Sequence, residues 1–258
     1  MTAGPAFPTA VPAATVIVFR RSRASGDGPA ELLMLERSGQ MRFAGGAAVF
    51  PGGRVDPSDR ELAARLPHDL EPHDAASRVA AMRETLEEAG LAVGMVETIS
   101  ADLAARARAM LHAEGALAPV LDRFGWTPDL NAFQPWARWC PQWERAFDTR
   151  FYLADLGTGE VDVAADDTEN THLFWASAEE ALAMANRGEI SVIFPTQRNL
   201  ERLAQVPSFA EASAFAARFP IRTITPARIE IDGVTHLTIP NDLGYPVVSE
   251  PMASAMRG

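Results

Sequence analysis

The stretch AAMRETLEEAG, residues 80–90, places Arg83, Glu84, Glu87 and Glu88 within about two helical turns and stops them at Gly90. In a helix, Glu84 lies three and four residues from Glu87 and Glu88, so all three carboxylates can point into one small volume. Arg83 and Glu87 form an i,i+4 pair that can orient one of the acids. At about 5–6 Å and an effective dielectric of 20, each like-charge pair costs roughly 3 kcal/mol, and far less on a wet face. The cluster therefore reads in one of two ways. Either it is a solvated helix face, or it borders a cleft where a hard divalent cation relieves the repulsion and collects oxygen ligands. Spacing alone leaves both open.

A second group of candidates lies upstream, in MRFAGGAAVFPGGRVD. Gly52 and Gly53 let the backbone come close to another element or to a ligand. Arg42 and Arg54 flank this loop, and each offers a planar fork of donors suited to phosphate, with plain surface charge as the alternative. Downstream, Glu169 in DDTENTHLFW sits before an alternating segment, where ordinary surface charge is one reading of it, while His172, within that segment, reads as structural. The lone cysteine, Cys140 in WARWCPQW, excludes an intramolecular disulfide and a multi-cysteine zinc site, and buried packing is its expected role.

These residues need elements to hold them. Over residues 72–90, Pro72 suits the first turn, Asp74 complements the exposed N–H groups, and Ala75, Val79, Met82, Leu86 and Ala89 recur as one apolar stripe that can lie on a sheet. Strands are expected at 15–19 and 31–37, joined as a hairpin, and at 47–50 and 149–156. PGGRVDP, after the third of these, is expected to break regular structure. Ser58, Ser177 and Ser208 each precede a Glu by three residues and are expected to cap helices, and residues 100–118 are helical by composition. Asp232-Gly233 between two alternating runs predicts a hairpin.

Strands mixed with helices of varied length imply an α+β or mixed α/β fold in one domain, residues 14–258, after a loose Pro- and Ala-rich lead-in at 1–13. Helical excursions are expected at 54–73 and 100–135. Across 258 residues, 47% are hydrophobic and 22% charged, a globular balance, and the formal net charge of -11 opposes binding to nucleic acid and anionic membranes. There is no secretory leader pattern and no apolar run of spanning length, so a cytoplasmic home is expected.

RETLEEAGL, Arg83 to Leu91, resembles the signature helix of the Nudix hydrolases: Arg-Glu, two residues, Glu-Glu, one residue, Gly, then an aliphatic residue. That family's full box runs Gly, five residues, Glu, seven residues, then Arg-Glu. Counting back from Arg83 lands on Ala75 where Glu belongs and on Asp69 where Gly belongs, while Gly53 in VFPGGRVDP stands earlier. A helical insertion inside the box is the natural reading. The interrupted box, with PWARW at 135–139 and FDTRFYLA at 147–154, looks like the branch that contains the peroxisomal acyl-coenzyme A diphosphatase.

The resemblance implies a Nudix α/β/α sandwich with a mixed sheet and helical insertions. It implies Mg²⁺ or Mn²⁺ held by Glu84, Glu87 and Glu88, with Arg83 positioning a carboxylate, Gly52 and Gly53 approaching the helix, and Glu169 or Glu88 activating water. The substrate implied is coenzyme A or an acyl form, cut at its pyrophosphate. Other nucleoside diphosphate derivatives, such as ADP-ribose, NADH or dinucleoside polyphosphates, are the alternative, and an inactive nucleotide-binding or regulatory protein is an alternative of another class. Family members often form homodimers.

Overall fold

The structure is a computed structural model that describes residues 10–21, 28–37, 46–142, 146–156 and 170–255. Its organising strand is β1 (Val11–Arg20), whose alternation sends Ala14, Val16 and Val18 to one core and Ile17 and Phe19 to another. A strand buried on both faces must lie inside a sheet. β1 runs parallel to β6 (Phe147–Asp155) along nearly its whole length. Its other edge is shared between two partners: β4 (Gly52–Arg54) pairs with Ala13–Thr15, and β2 (Glu31–Arg37) pairs only with Phe19 and Arg20. The predicted β1–β2 hairpin thus exists only at its far end, because β4 occupies the first half of the edge.

The sheet extends from β2 to β3 (Ala48–Val49) and β7 (Asn170–Ala176), and from β6 through β5 (Gln134–Trp139) to β8 (Thr223–Ile224). With both parallel and antiparallel pairs the sheet is mixed, and helices cover both faces. One face carries α1 (Pro57–Ala63), α2 (Pro72–Ala89), α3 (Ala101–Glu114) and α4 (Leu117–Phe124); the other carries α5 (Ala178–Arg187), α6 (Phe194–Leu203) and α7 (Phe209–Ala216). The sandwich and the helices flanking its mixed sheet are those expected of the sequence.

Helix α2 forms where the sequence signals place it. Glu71 accepts from the backbone N–H groups of His73 and Asp74, Pro72 occupies the first turn, and Gly90 ends the helix at φ 70°. Ala75, Val79, Met82, Leu86 and Ala89 are all buried, against Ala14, Val16 and Val18 of β1. The small residues let the helix lie close to the sheet.

Three local expectations change. Ser58 is not a cap: α1 begins at Pro57, two residues before a Ser58 cap would start it, and Asp56 caps it in a reciprocal pair with Asp59. Gly52-Gly53-Arg54 does not break regular structure but forms β4, since no side chain hinders its approach to β1. The helical stretch at 100–118 divides at Gly115 into α3 and α4. Ser177 and Ser208 do cap α5 and α7. A separate three-stranded sheet follows, formed by β9 (Ala227–Ile231), β10 (Val234–Thr238) and β11 (Ser249–Pro251), before the short α8 (Met252–Ala255).

The tryptophans of WARW are structural. Trp136 Nε1 donates to Asn199 Oδ1 at 2.9 Å, and the buried Arg202 guanidinium lies 3.9 Å from the Trp136 ring centroid. These ties lock α6 to β5.

Candidate active site

Of the carboxylates of α2, Glu84 and Glu88 are covered, while Glu87 is partly open to solvent. Strand β4 runs against them, and each acid has a partner. Gly52 N–H donates to Glu88 Oε2 at 2.9 Å, and Glu88 is only 4% exposed. A Cβ added to Gly53 would sit 2.3 Å from Glu84 Oε1, so the absence of a side chain there is what lets strand and carboxylate meet. A Cβ on Gly52 would likewise sit 2.3 Å from the Ala14 carbonyl oxygen.

Arg83 is buried at the centre of the group. Its Nε and Nη2 donate to the two oxygens of Asp59 at 2.9 and 3.0 Å, and Nη2 also reaches the Arg54 carbonyl at 2.9 Å. Nη1 faces Glu84 Oε1 at 2.9 Å and Glu87 Oε2 at 3.2 Å. Burial alone would pull the guanidinium's pKa down, but the Asp59 hydrogen bonds and the charges of Glu84, Asp59 and Asp56 more than reverse this and hold it above its ordinary value. Glu84 behaves oppositely: burial pushes its carboxyl up to about 7 even though Arg83 pulls it back, and neighbouring Glu87 adds to the rise. Negative charge at Glu84 is therefore under-compensated by the protein.

That imbalance is the test of whether a cation suits the site. The donors are carboxylate oxygens, the ligand chemistry of Mg²⁺ and Mn²⁺, and at Glu84 burial outweighs the contact with Arg83 Nη1. Among the described residues no three His, Cys, Asp or Glu side chains already converge as an ion cage. Glu84 and Glu87 close on Arg83, and Glu88 on Gly52. The residues fit the group by chemistry and by proximity along one helix face, with side-chain rotation needed to gather them.

The remaining candidates fall in different places. Arg54 ends β4 with an exposed side chain, beside the cluster, its carbonyl engaged by Arg83. Arg42 and Glu169 lie outside the described residues. His172 is exposed on β7 and stacks on Phe174 at 5.8 Å between ring centroids. Arg150 finds partners at the start of α2, Asp74 at 3.3 Å and Glu71 at 3.4 Å, and Tyr152 donates to the same Asp74 at 2.8 Å. Burial raises the Cys140 thiol above its ordinary value, which disfavours the reactive thiolate.

Two residues escaped the sequence reading. Asp59, 1% exposed, is the main partner of Arg83. Counting back from Arg83 could not find it, but counting forward does: the five residues of the box that follow Gly53 are 54–58, so Asp59 stands in the place of the Glu and the insertion falls within residues 60–82. Arg108, on α3, donates to the carbonyls of Glu87 and Glu88 at 2.8 and 2.9 Å and so ties down the last turn of α2. No motif marks it, because the contact joins two separate helices.

Residues 61–203 match the family described as the NUDT19 Nudix domain. Acyl-coenzyme A diphosphatase NUDT19 of Gallus gallus is 27% identical over 72% of this chain, which spans 64% of that protein's length, just under two thirds. The protein of the same name from Homo sapiens is 27% identical over 84% of this chain and 73% of its own. Among solved structures, a NUDIX hydrolase from Alicyclobacillus acidocaldarius aligns with a TM-score of 0.66 at 29% identity, covering 81% of this chain and 97% of that one. No helix among the described residues is long and apolar enough to cross a membrane.

Proposed function

The chain belongs to the Nudix hydrolase family, and from that premise we propose that it cleaves the pyrophosphate of coenzyme A or acyl-coenzyme A, giving 3',5'-ADP and 4'-phosphopantetheine or its acyl ester. The observation that carries the chemistry is the junction of α2 and β4, where Glu88 meets Gly52, Glu84 meets Gly53, and Glu84 and Glu87 both close on a clamped Arg83. Support for the substrate comes from the relatives, which bear the name acyl-coenzyme A diphosphatase.

In this reading Glu84, Glu87 and Glu88 would hold Mg²⁺ or Mn²⁺, whose charge, when bound, screens the diphosphate and makes water a better nucleophile. The chain's own residues do the rest. Asp59 holds the Arg83 guanidinium by a two-point contact, so Arg83 presents Nη1 to Glu84 and Glu87 from a fixed place. Gly52 N–H fixes Glu88, and Arg108 fixes the backbone that carries Glu87 and Glu88. Water attacks one phosphorus, the bridging P–O bond breaks, and the water's proton passes to a carboxylate, for which Glu88 and Glu169 are the candidates. Arg54, exposed beside the cluster, and Arg42 are placed by sequence to meet phosphate oxygens.

A panel of pyrophosphate substrates assayed with Mg²⁺ tests the proposal. Coenzyme A species should give the highest kcat/KM with release of 3',5'-ADP, and a chelator should abolish turnover. Preference for ADP-ribose, NADH or a dinucleoside polyphosphate would overturn the substrate while leaving the chemistry. Ligand binding without turnover of any member would overturn the enzyme reading.

A further inference from the structure

The C-terminal sheet ends in an edge of unusual composition. β9 reads Ala227-Arg228-Ile229-Glu230-Ile231, and apart from β10 no strand among the described residues pairs with it. All of β9 is exposed, with Ile229 at 44% and Ile231 at 37%, and Val234 opposite Ile231 stands at 49%. Long apolar side chains on an open strand edge invite pairing with another chain, and folds normally suppress them.

The hairpin fixes which backbone groups face outward. Asp232 at φ 50° and Gly233 at φ 77° form a two-residue turn with both central residues at positive φ, so the flanking Ile231 and Val234 are a hydrogen-bonded pair. By alternation Ala227, Ile229 and Ile231 turn their N–H and C=O groups toward β10, and Arg228 and Glu230 turn theirs outward. Suppose a second copy of β9 lies antiparallel with the two Ile229 residues opposite each other. Arg228 of each copy then faces Glu230 of the other. The two positions with outward backbone groups are the two that carry the complementary charges, so one register satisfies both. Sliding by two residues in either direction sets Arg228 against Arg228, or Glu230 against Glu230, which is unfavourable. Thr235 Oγ1 donates to Glu230 Oε1 and holds the acid on the face it shares with Arg228.

We propose that β9 is a self-association edge: two copies of this chain join by antiparallel β9 pairing centred on Ile229, forming a continuous sheet whose register is selected by two reciprocal Arg228–Glu230 pairs. The apolar residues line the other face, Ile229 against Ile229 and Ala227 against Ile231. The occupant is a second copy rather than another protein because the strand is complementary to itself. The proposal does not depend on what the α2 site hydrolyses.

Sedimentation equilibrium of the full chain across a wide concentration range tests it. The parent should dimerise reversibly. Arg228→Glu and Glu230→Arg each convert both attractive pairs into repulsive ones, and each should weaken dimerisation by about tenfold or more. An equimolar mixture of the two variants should form a heterodimer, and the double exchange in one chain should restore the homodimer. Circular dichroism of each variant shows whether the fold is intact; the mixture distinguishes lost complementarity from lost folding, since a misfolded variant cannot regain its partner. A parent that stays monomeric at the highest concentration, single variants that dimerise like the parent, or a mixture that stays monomeric would each overturn the proposal.

Discussion

Replacing Asp59 by Ala removes the carboxylate on which Arg83 depends. The acid is 1% exposed, accepts two charge-assisted hydrogen bonds from Arg83 at 2.9 and 3.0 Å, and accepts a third from Asp56 N–H at 2.9 Å. Breaking a buried ion pair by deleting one partner typically costs about 3–5 kcal/mol, because the other charge is left uncompensated. Arg83 is not left alone here. Nη1 keeps Glu84 at 2.9 Å and Glu87 at 3.2 Å, and Nη2 keeps the Arg54 carbonyl at 2.9 Å. The low end of the range applies, about 3 kcal/mol, which for a chain of this size lowers Tm by roughly 6–12 °C. A second effect falls on function. Released from Asp59, the guanidinium is free to close further on Glu84 and Glu87 and compete with a divalent cation, so the Mg²⁺ concentration for half-maximal turnover should rise several-fold. Scanning calorimetry with chelator measures the first effect and a Mg²⁺ titration of initial rates the second. An Asp59→Ala variant with Tm within about 2 °C of the parent and an unchanged Mg²⁺ requirement would refute the clamp.

Gly53→Ala should lower turnover by more than tenfold and cost about 1–3 kcal/mol of stability, since the new methyl meets Glu84 Oε1 at 2.3 Å and either β4 or the carboxylate must move; steady-state kinetics with parallel calorimetry checks both. Glu84→Gln should abolish turnover yet stabilise the metal-free protein at alkaline pH. The folded state raises this carboxyl to about 7, so it binds its proton more tightly than the unfolded chain does, and stability falls as pH rises from the ordinary carboxylate range through about 7. The uncharged amide removes that dependence, which urea titrations with chelator at pH values either side of 7 measure. Arg108→Ala should lower kcat with little change in substrate KM, and Arg108→Lys should recover part of the loss, because the residue positions the carbonyls of Glu87 and Glu88 from outside the cluster.

How much of this was legible in the sequence depended on the range of the interaction. The helix 72–90, its stripe and its Gly90 stop follow from local spacing, and each lies where that spacing puts it. The hairpin at Asp232-Gly233 follows from turn chemistry, with both residues at positive φ. In isolation, two glycines after a proline look like a breaker. What makes them a strand is β1 lying within reach on one side and Glu84 on the other, and neither is visible from the loop itself. The acidic face could be assigned neither to solvent nor to a cleft by spacing, since burial by β4 decides the matter. Asp59 was within reach of arithmetic but hidden by the insertion, which breaks the count from one direction only.

The insertion also explains why the cluster is held so firmly. An uninterrupted box would join the Asp59 position to Arg83 through a short link; here residues 60–82 intervene, and the geometry must be rebuilt by packing. α1 lies against α2, with Leu62 and Ala63 in the same core as Val79 and Met82, so the carboxylate of Asp59 is delivered by a helix anchored in apolar contact. α3 braces the opposite end of the cluster: Ala104, Ala107 and Leu111 enter that same core while Arg108, between them, reaches the carbonyls of Glu87 and Glu88. A helix C-terminus concentrates negative potential at its last carbonyls, and three acidic side chains add to it. An Arg from a neighbouring helix offsets the backbone part of that potential by donating to the carbonyls of Glu87 and Glu88. Asp59 and Arg108 thus divide the work, one holding the positive charge in place among the acids and the other neutralising the helix end that carries them.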